Sequence, residues 1–253
     1  MTSAVLSPYK LFFTDCEDNL WALMQDNRSR FVKKIGAFAG ISSHEHALLG
    51  VKFLGDKTQV LITPCAFDST PPTLFFTHKG YAYHPALYED KTLQMAMIQA
   101  DLLSPKGEGE LVIFERARSR FRPIARMPVK MAPVRFDTTG DVYALTPKND
   151  FVRMNGHRCE KIAEDVGAFS INPMGTILAY TQQETVHVVI PVEREHKKLI
   201  AFDVTALGVA KDNTGVYFAT FKEGKSSLYF YDFHTKEVSL CAAHTCAIKL
   251  IIA

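Results

Sequence analysis

The chain has 253 residues, of which 47% are hydrophobic and 22% are charged. A chain of this size and composition can bury a large hydrophobic core in one or two domains, which excludes wholesale disorder. The 29 basic and 27 acidic residues leave a net charge of +2 at pH 7. This near neutrality argues against nucleic acid as a partner.

The N-terminal residues 1–13 lack the basic start and the apolar run of a secretory signal peptide. No stretch approaches about 18 consecutive apolar residues, so we expect no transmembrane segment. The cysteines are sparse, irregularly spaced and odd in number: Cys16, Cys65, Cys159, Cys241 and Cys246. Such usage argues against a disulfide framework and favours a cytoplasmic protein with reduced thiols.

The first half of the chain contains three irregular units of predicted strands, at residues 10–40, 46–86 and 90–130. A turn followed by an apolar strand is predicted by Asp15-Cys-Glu-Asp-Asn-Leu-Trp-Ala22, whereas Leu54-Gly-Asp-Lys57 keeps only the turn. Residues 93–103 leave two interpretations open. They are apolar enough for a strand, but five of them also share one helical face: Leu93, Ala96, Met97, Ala100 and Leu103.

The third unit ends in a predicted hairpin rich in arginine. Five arginines occur within eleven residues: Arg116, Arg118, Arg120, Arg122 and Arg126. Guanidinium groups bind carboxylate and phosphate through paired hydrogen bonds. We expect this hairpin to face solvent and to form a partner contact, the open ligands being an acidic protein surface, phospholipid and nucleic acid. The alternative is that the charges only protect an exposed sheet edge.

One phrase occurs three times in the second half of the chain. Its copies are Asp137-Thr-Thr-Gly140-Asp-Val-Tyr-Ala144, Asn172-Pro-Met-Gly175-Thr-Ile-Leu-Ala179 and Asp212-Asn-Thr-Gly215-Val-Tyr-Phe-Ala219. Asp and Asn side chains bond to nearby backbone in turns, and Gly accepts a positive φ. We therefore predict that Gly140, Gly175 and Gly215 occupy turns that join paired strands.

Each copy continues into a second hairpin, as at residues 150–162, 185–202 and 227–241. Four short strands in about 35–45 residues are typical of a β-propeller blade. The predicted blades are residues 10–40, 46–86, 90–130, 131–165, 166–204 and 205–245. We therefore predict one all-β domain, a six-bladed β-propeller, with five or seven blades and an irregular β-sandwich as alternatives.

The phrase resembles the inner hairpin of propeller repeats of the WD-repeat and tectonin kinds. Tyr231-Asp232 and Phe114-Glu115 take the place of the tryptophan–aspartate pair, and residues 137–161 are most similar to a tectonin repeat. The resemblance covers residues 130–245 well and 11–35 weakly, and it implies an architecture without a specific family. The apolar tail 247–252 is predicted to close the ring by pairing beside residues 4–6.

Sequence motifs for catalysis are absent. The chain has no phosphate-binding Gly-rich loop with Lys-Ser/Thr, no Gly-x-Ser-x-Gly and no His-Glu-x-x-His. Metal-ligand types do occur together in Cys241-Ala-Ala-His244-Thr-Cys246 and in His44-Glu-His46. The first group lacks a fourth ligand nearby, and two histidines in a loop between blades are more often ordinary polar surface. We therefore predict no catalytic residue, no metal and no cofactor.

Aromatic residues are a further candidate for a binding surface, because tectonin-type lectins stack sugars on one exposed ring per blade. The matching positions are not uniform and fall inside predicted strands: Trp21, Tyr143, Leu178 and Phe218. Core packing is the favoured interpretation. The expected function is a non-catalytic protein-interaction platform or scaffold subunit, with a lectin-like propeller and a hydrolase with a central-channel site as alternatives.

Overall fold

The computed structural model describes residues 9–17, 19–34, 39–41, 47–64, 72–101, 107–118, 120–156, 158–190, 195–201, 203–210 and 212–252. Within these ranges the chain is all-β and forms six four-stranded antiparallel sheets. Their arrangement confirms the predicted six-bladed β-propeller. The same residues include no helix with the length and hydrophobicity needed to cross a membrane.

The strands are numbered in chain order. Those of the first half are β1 (Tyr9–Asp15), β2 (Asn19–Met24), β3 (Ser29–Lys34), β4 (Ala39–Ile41), β5 (Ala47–Leu54), β6 (Lys57–Pro64), β7 (Thr73–Lys79), β8 (Ala82–Glu89), β9 (Leu93–Gln99), β10 (Glu108–Ala117) and β11 (Arg120–Lys130). Those of the second half are β12 (Arg135–Phe136), β13 (Val142–Leu145), β14 (Phe151–Asn155), β15 (Arg158–Ala163), β16 (Val166–Ile171), β17 (Leu178–Gln182), β18 (Thr185–Ile190), β19 (Glu195–Ile200), β20 (Val204–Val209), β21 (Gly215–Lys222), β22 (Lys225–Asp232), β23 (Val238–His244) and β24 (Ile248–Ile252).

The first blade joins the two ends of the chain. Its strand order is β24-β1-β2-β3, so the C-terminal strand is the innermost one and the N-terminal residues supply the other three. Blades two to six are β4–β7, β8–β11, β12–β15, β16–β19 and β20–β23, each starting with its innermost strand. The predicted closure by the tail is confirmed, but its partner is β1, which pairs Asp15 with Ile248. Residues 4–6, the expected partner, lie outside the described residues.

The turns that follow β8, β12, β16 and β20 lie on one face of the ring, called the upper face here. Neighbouring turns bond to each other: the Thr138 amide donates to the Pro173 carbonyl at 2.7 Å, and the Asn172 side chain donates to Asn213 Oδ1 at 2.9 Å. The turns between third and fourth strands share this face, because the strands within each blade are antiparallel.

The core lies between neighbouring blades, so strands of the middle of a blade are buried on both sides. β9 shows the consequence: Met95 and Met97 pack toward the second blade, whereas Ala96 and Ile98 pack toward the fourth. A strand buried on both sides is a continuous apolar run. Such a run also satisfies helical spacing, so the sequence pattern alone is compatible with a helix. In the structure, Leu93–Gln99 form a strand.

The repeated glycines have two different roles. Gly140 and Gly175 lie in upper-face turns with φ of 85° and 65°. The turn prediction is wrong for Gly215, which begins β21, while Asn213 takes the left-handed conformation with φ of 61°. A Cβ at Gly215 would lie 2.2 Å from the Tyr231 carbonyl oxygen, so this position needs glycine for close packing.

The weak first copy of the phrase also differs from the others. Because β24 takes the innermost place, the turn after Asp15 joins the second and third strands of its blade and lies on the lower face. Asp15 still organises this turn, accepting hydrogen bonds from the backbone amides of Glu17 and Asn19 at 2.9 and 3.0 Å.

Candidate functional site

A cleft of about 450 Å³ opens on the upper face between the third and fourth blades. Turns of both blades form its rim, and side chains of the middle strands form its floor. The lining residues are Tyr88, Asp90, Lys91, Thr92, Gln94, Ile113, Ile124, Ala125, Thr139, Gly140, Asp141, Met154, Asn155 and Gly156. The cleft therefore combines polar rim groups with an apolar floor.

Asp137 holds the turn on the fourth-blade side of the cleft. Its Oδ1 accepts hydrogen bonds from the Thr139 amide at 2.8 Å and from the Asp141 amide at 3.0 Å. Its Oδ2 accepts one from the Tyr143 hydroxyl at 3.2 Å, and burial, with the Asp137 charge, raises the pKa of Tyr143. Gly140 lies against the Tyr88 ring, where a Cβ would approach to 3.0 Å. This wall is therefore closely packed and fixed by hydrogen bonds.

Two acids line the cleft, the exposed Asp90 and the buried Asp141, and Asp141 is already paired with a cation. Asp141 is buried and accepts hydrogen bonds from Arg153 Nε at 2.6 Å and from Asn155 Nδ2 at 2.7 Å. The hydrogen bond to Asp141 raises the pKa of Arg153. A carboxylate bonded in this way has its oxygens occupied by Arg153 and Asn155, so it is poorly placed to contact a substrate.

The arginine-rich hairpin is the outer hairpin of the third blade, and its tip is on the upper face. Cross-strand partners share one side of a sheet, and Arg116 pairs with Phe121. The Phe121 ring lies 5.1 Å from that of Phe76, so this side faces the second blade. Arg122 pairs with Glu115 on the other side.

Strand alternation places Arg120 on the same side of β11 as Arg122. Ile113 pairs with Ala125 and Phe114 pairs with Pro123, so Ile124 forms a bulge on β11. Ile124 and Ile113 both line the cleft. Arg120 and Arg122 therefore project toward the fourth blade, from the strand that supplies Ile124 to the cleft.

All five arginines are exposed, but they differ in pairing. Arg118 forms the hairpin turn with φ of 59°, and Arg126 forms an ion pair with Glu110 on the side of the second blade. There, burial and the charge of Arg126 lower the pKa of His78. Within the described part of the chain, the other four arginines have no ion pair. That they contact a partner stays a prediction.

The other groups singled out in the sequence lie elsewhere. Cys241 is buried and Cys246 is partly buried, and His244 Nε2 lies 3.3 Å from Asp15 Oδ2. Among the described residues, no three His, Cys, Asp or Glu side chains are grouped to hold a metal. His44 and His46 lie outside the described residues.

None of the four positions that match a tectonin sugar site lines this cleft. Tyr143, Leu178 and Phe218 are buried in the core. The Trp21 Nε1 donates to Asp15 Oδ2 at 2.8 Å, on the lower face. Sequence reasoning missed the cleft, because its residues come from five separate segments of the chain; the only signal was Asp141 directly after the turn glycine.

No family model matches the chain, and no curated protein matches it. Solved structures are similar to it in fold. TolB from Acinetobacter baumannii has a TM-score of 0.69 at 10% identity, covering 96% of this chain and 65% of its own, so this chain spans less than two thirds of TolB. A chain of the nidogen/laminin complex has a TM-score of 0.63 at 10% identity, with 95% and 96% covered. A candidate 6-phosphogluconolactonase from Bacteroides fragilis has a TM-score of 0.55 at 11% identity, with 98% and 85% covered.

Proposed function

We propose that this propeller is a non-catalytic protein-interaction platform that binds an acidic segment of a partner protein on its upper face, between the third and fourth blades. The observation that carries the proposal is the set of exposed, unneutralised arginines at the tip of the β10–β11 hairpin: Arg116, Arg118, Arg120 and Arg122.

The charge of this tip favours a carboxylate-bearing ligand. Arginine stays protonated at all physiological pH values, and its planar guanidinium binds carboxylates through two parallel hydrogen bonds. Of the two acids that line the cleft, the buried Asp141 is already paired with Arg153, so it does not cancel the field of the tip, whereas the exposed Asp90 carries a charge opposite to that of the arginines. An acidic segment bound at the tip reaches the cleft on the side where Arg120 and Arg122 project.

The composition of the cleft supports binding over catalysis. Its described lining contains no histidine, cysteine or serine, and its buried acid is held by Arg153 and Asn155. Fold likeness is neutral on this point, since the similar structures include a chain of a protein complex and a candidate lactonase. The proposal therefore rests on the arginines and the cleft. We further propose a cytoplasmic complex subunit, on the sparse cysteines of the sequence.

The test is binding of a defined acidic probe, a fluorescent ten-residue peptide of alternating Glu and Ser. The quadruple Arg→Ser variant at residues 116, 118, 120 and 122 should bind it about tenfold more weakly, with most of the loss at about 50 mM salt and little at about 300 mM. A control removes the same charge from four exposed lysines elsewhere: Lys148, Lys222, Lys225 and Lys236.

Binding that weakens equally in both variants would mean that only net charge matters, and the proposed site would be wrong. Unchanged binding in the arginine variant would also overturn it. Vesicles of anionic phospholipid serve as a second probe. Retention on these vesicles without peptide binding would assign the arginines to a lipid surface instead.

A further inference from the structure

Two cysteines that are 230 positions apart in the sequence meet at the ring closure. Cys16 lies in the turn after β1, and Cys246 lies two residues before β24. The pairing of Asp15 with Ile248 joins the two segments. In addition, Lys249 Nζ donates to the Cys16 carbonyl oxygen at 3.2 Å. The neighbouring Cys16 side chain, together with burial, raises the pKa of the Cys246 thiol to about 11.

Buried polar contacts fix both segments in place. Asp15 is almost fully buried and accepts hydrogen bonds from Trp21 Nε1 at 2.8 Å and from Asn19 Nδ2 at 3.0 Å. His244 lies 3.3 Å from the same carboxylate and 4.7 Å from the Trp21 ring. These contacts join the turn after β1 to the segment before β24. They therefore fix the positions of Cys16 and Cys246 relative to each other.

The two thiols are also reachable, unlike a thiol buried in the core. Cys16 is exposed and Cys246 is partly buried, whereas Cys241 is buried among the side chains of the sixth and first blades. Cys159 is exposed, and its sulfur lies 3.9 Å from the Met127 sulfur on a different blade, with no other cysteine of the described ranges paired with it. Cys159 therefore offers a matched control.

We propose that Cys16 and Cys246 form a reversible disulfide that clips the C-terminal strand β24 to the N-terminal strands of the first blade. Without it, β24 is held by backbone pairing with β1, by packing against β20 and β21, and by hydrogen bonds from the Ile248 amide to Ser226 Oγ and from Lys249 Nζ to the Cys16 carbonyl oxygen. A bond between residues so far apart in sequence restricts the unfolded chain strongly, so it should stabilise the closed ring.

The chemistry is thiol–disulfide exchange with a small disulfide such as oxidised glutathione. The Cys16 thiolate attacks one sulfur of the glutathione disulfide, and one glutathione thiol leaves. Cys246 then loses its proton and attacks the Cys16 sulfur, which releases the second glutathione thiol. The two cysteines lose two electrons together, and these reduce one glutathione disulfide to two thiols. Excess reduced glutathione drives the same steps backward.

The experiment equilibrates the full chain with oxidised or reduced glutathione and then blocks free thiols. Peptide mapping should find one cross-linked pair, Cys16 with Cys246, with a mass lower by two hydrogens. The thermal unfolding midpoint should rise by about 5 °C or more on oxidation. Cys16→Ser and Cys246→Ser should each abolish both effects, whereas Cys159→Ser should preserve them.

Two results would overturn the proposal. One is full alkylation of Cys16 and Cys246 after equilibration with oxidised glutathione alone. The other is a cross-linked pair with an unchanged midpoint, which would show that the bond does not clip the ring. Binding of the acidic peptide to the upper face is a separate readout and should be the same in all these cysteine variants. Failure of this proposal is thereby distinguishable from failure of the proposed function.

Discussion

Replacing Ile251 by alanine tests how much of the stability depends on the C-terminal strand. Ile251 is 1% exposed and packs in one cluster with Phe13 and Leu23 of the first blade. It also fills the space above Gly208, where a Cβ would lie 2.4 Å from Ile251 Cγ2. The variant loses this contact on both blades at once, so the ring closure should weaken.

Truncating a buried isoleucine to alanine costs about 2–5 kcal/mol, because the lost transfer energy adds to the cavity left behind. For a domain of this size that corresponds to a fall of about 4–20 °C in the unfolding midpoint. Differential scanning calorimetry measures the change, and Leu240→Ala is the control, because Leu240 is 59% exposed and should cost at most about 0.5 kcal/mol. Equal midpoints for the two variants would refute the claim that β24 closes and stabilises the ring.

Two further predictions concern the turns and the interior. Gly215→Ala should destabilise the fold by about 1–3 kcal/mol, because the added Cβ overpacks against β22. Gly55→Ala, at φ of 61° with no atom within 4 Å of the added Cβ, should cost about 1–2 kcal/mol through backbone strain alone. A crystal structure of Gly215→Ala in which β22 has not moved would contradict the overpacking. Burial, helped by the charge of Arg135, lowers the pKa of His84 to about 4. Its contribution to stability is therefore complete above pH 6.5 and lost as the pH falls toward 4, so His84→Asn should flatten the fall in unfolding midpoint across that window; an unchanged slope would exclude His84 as the cause.

Much of the architecture could be predicted from local chemistry. The Asp or Asn and Gly of the phrase mark turns because only a few residues suit that backbone, as at Gly140 and Gly175. The phrase could not distinguish a glycine needed for its φ from one needed for close packing. Gly215 serves the second purpose, and its neighbour Phe230 lies fifteen residues away in the sequence. Local pattern alone therefore assigned it to the wrong role.

The sequence predicts the arginine cluster of the candidate site but not the cleft beside it. Five clustered arginines are visible as a run, but which blade each one faces depends on the pairing of Arg116 with Phe121 and of Arg122 with Glu115. The cleft itself, and the meeting of Cys16 with Cys246, depend on contacts between blades and between chain ends. No periodicity in one segment encodes such contacts, because they arise only when the ring closes.

The most direct test of the proposed platform is photo-crosslinking from the cleft during capture of partners from native cell extract. A photoreactive residue at Ile124, which is 41% exposed and lines the cleft, should cross-link to a partner peptide rich in Asp and Glu. The same residue at Leu54, which is 57% exposed on a turn of the second blade, should give no such product. Equal cross-linking from the two positions, or a cross-linked peptide without acidic residues, would contradict the account.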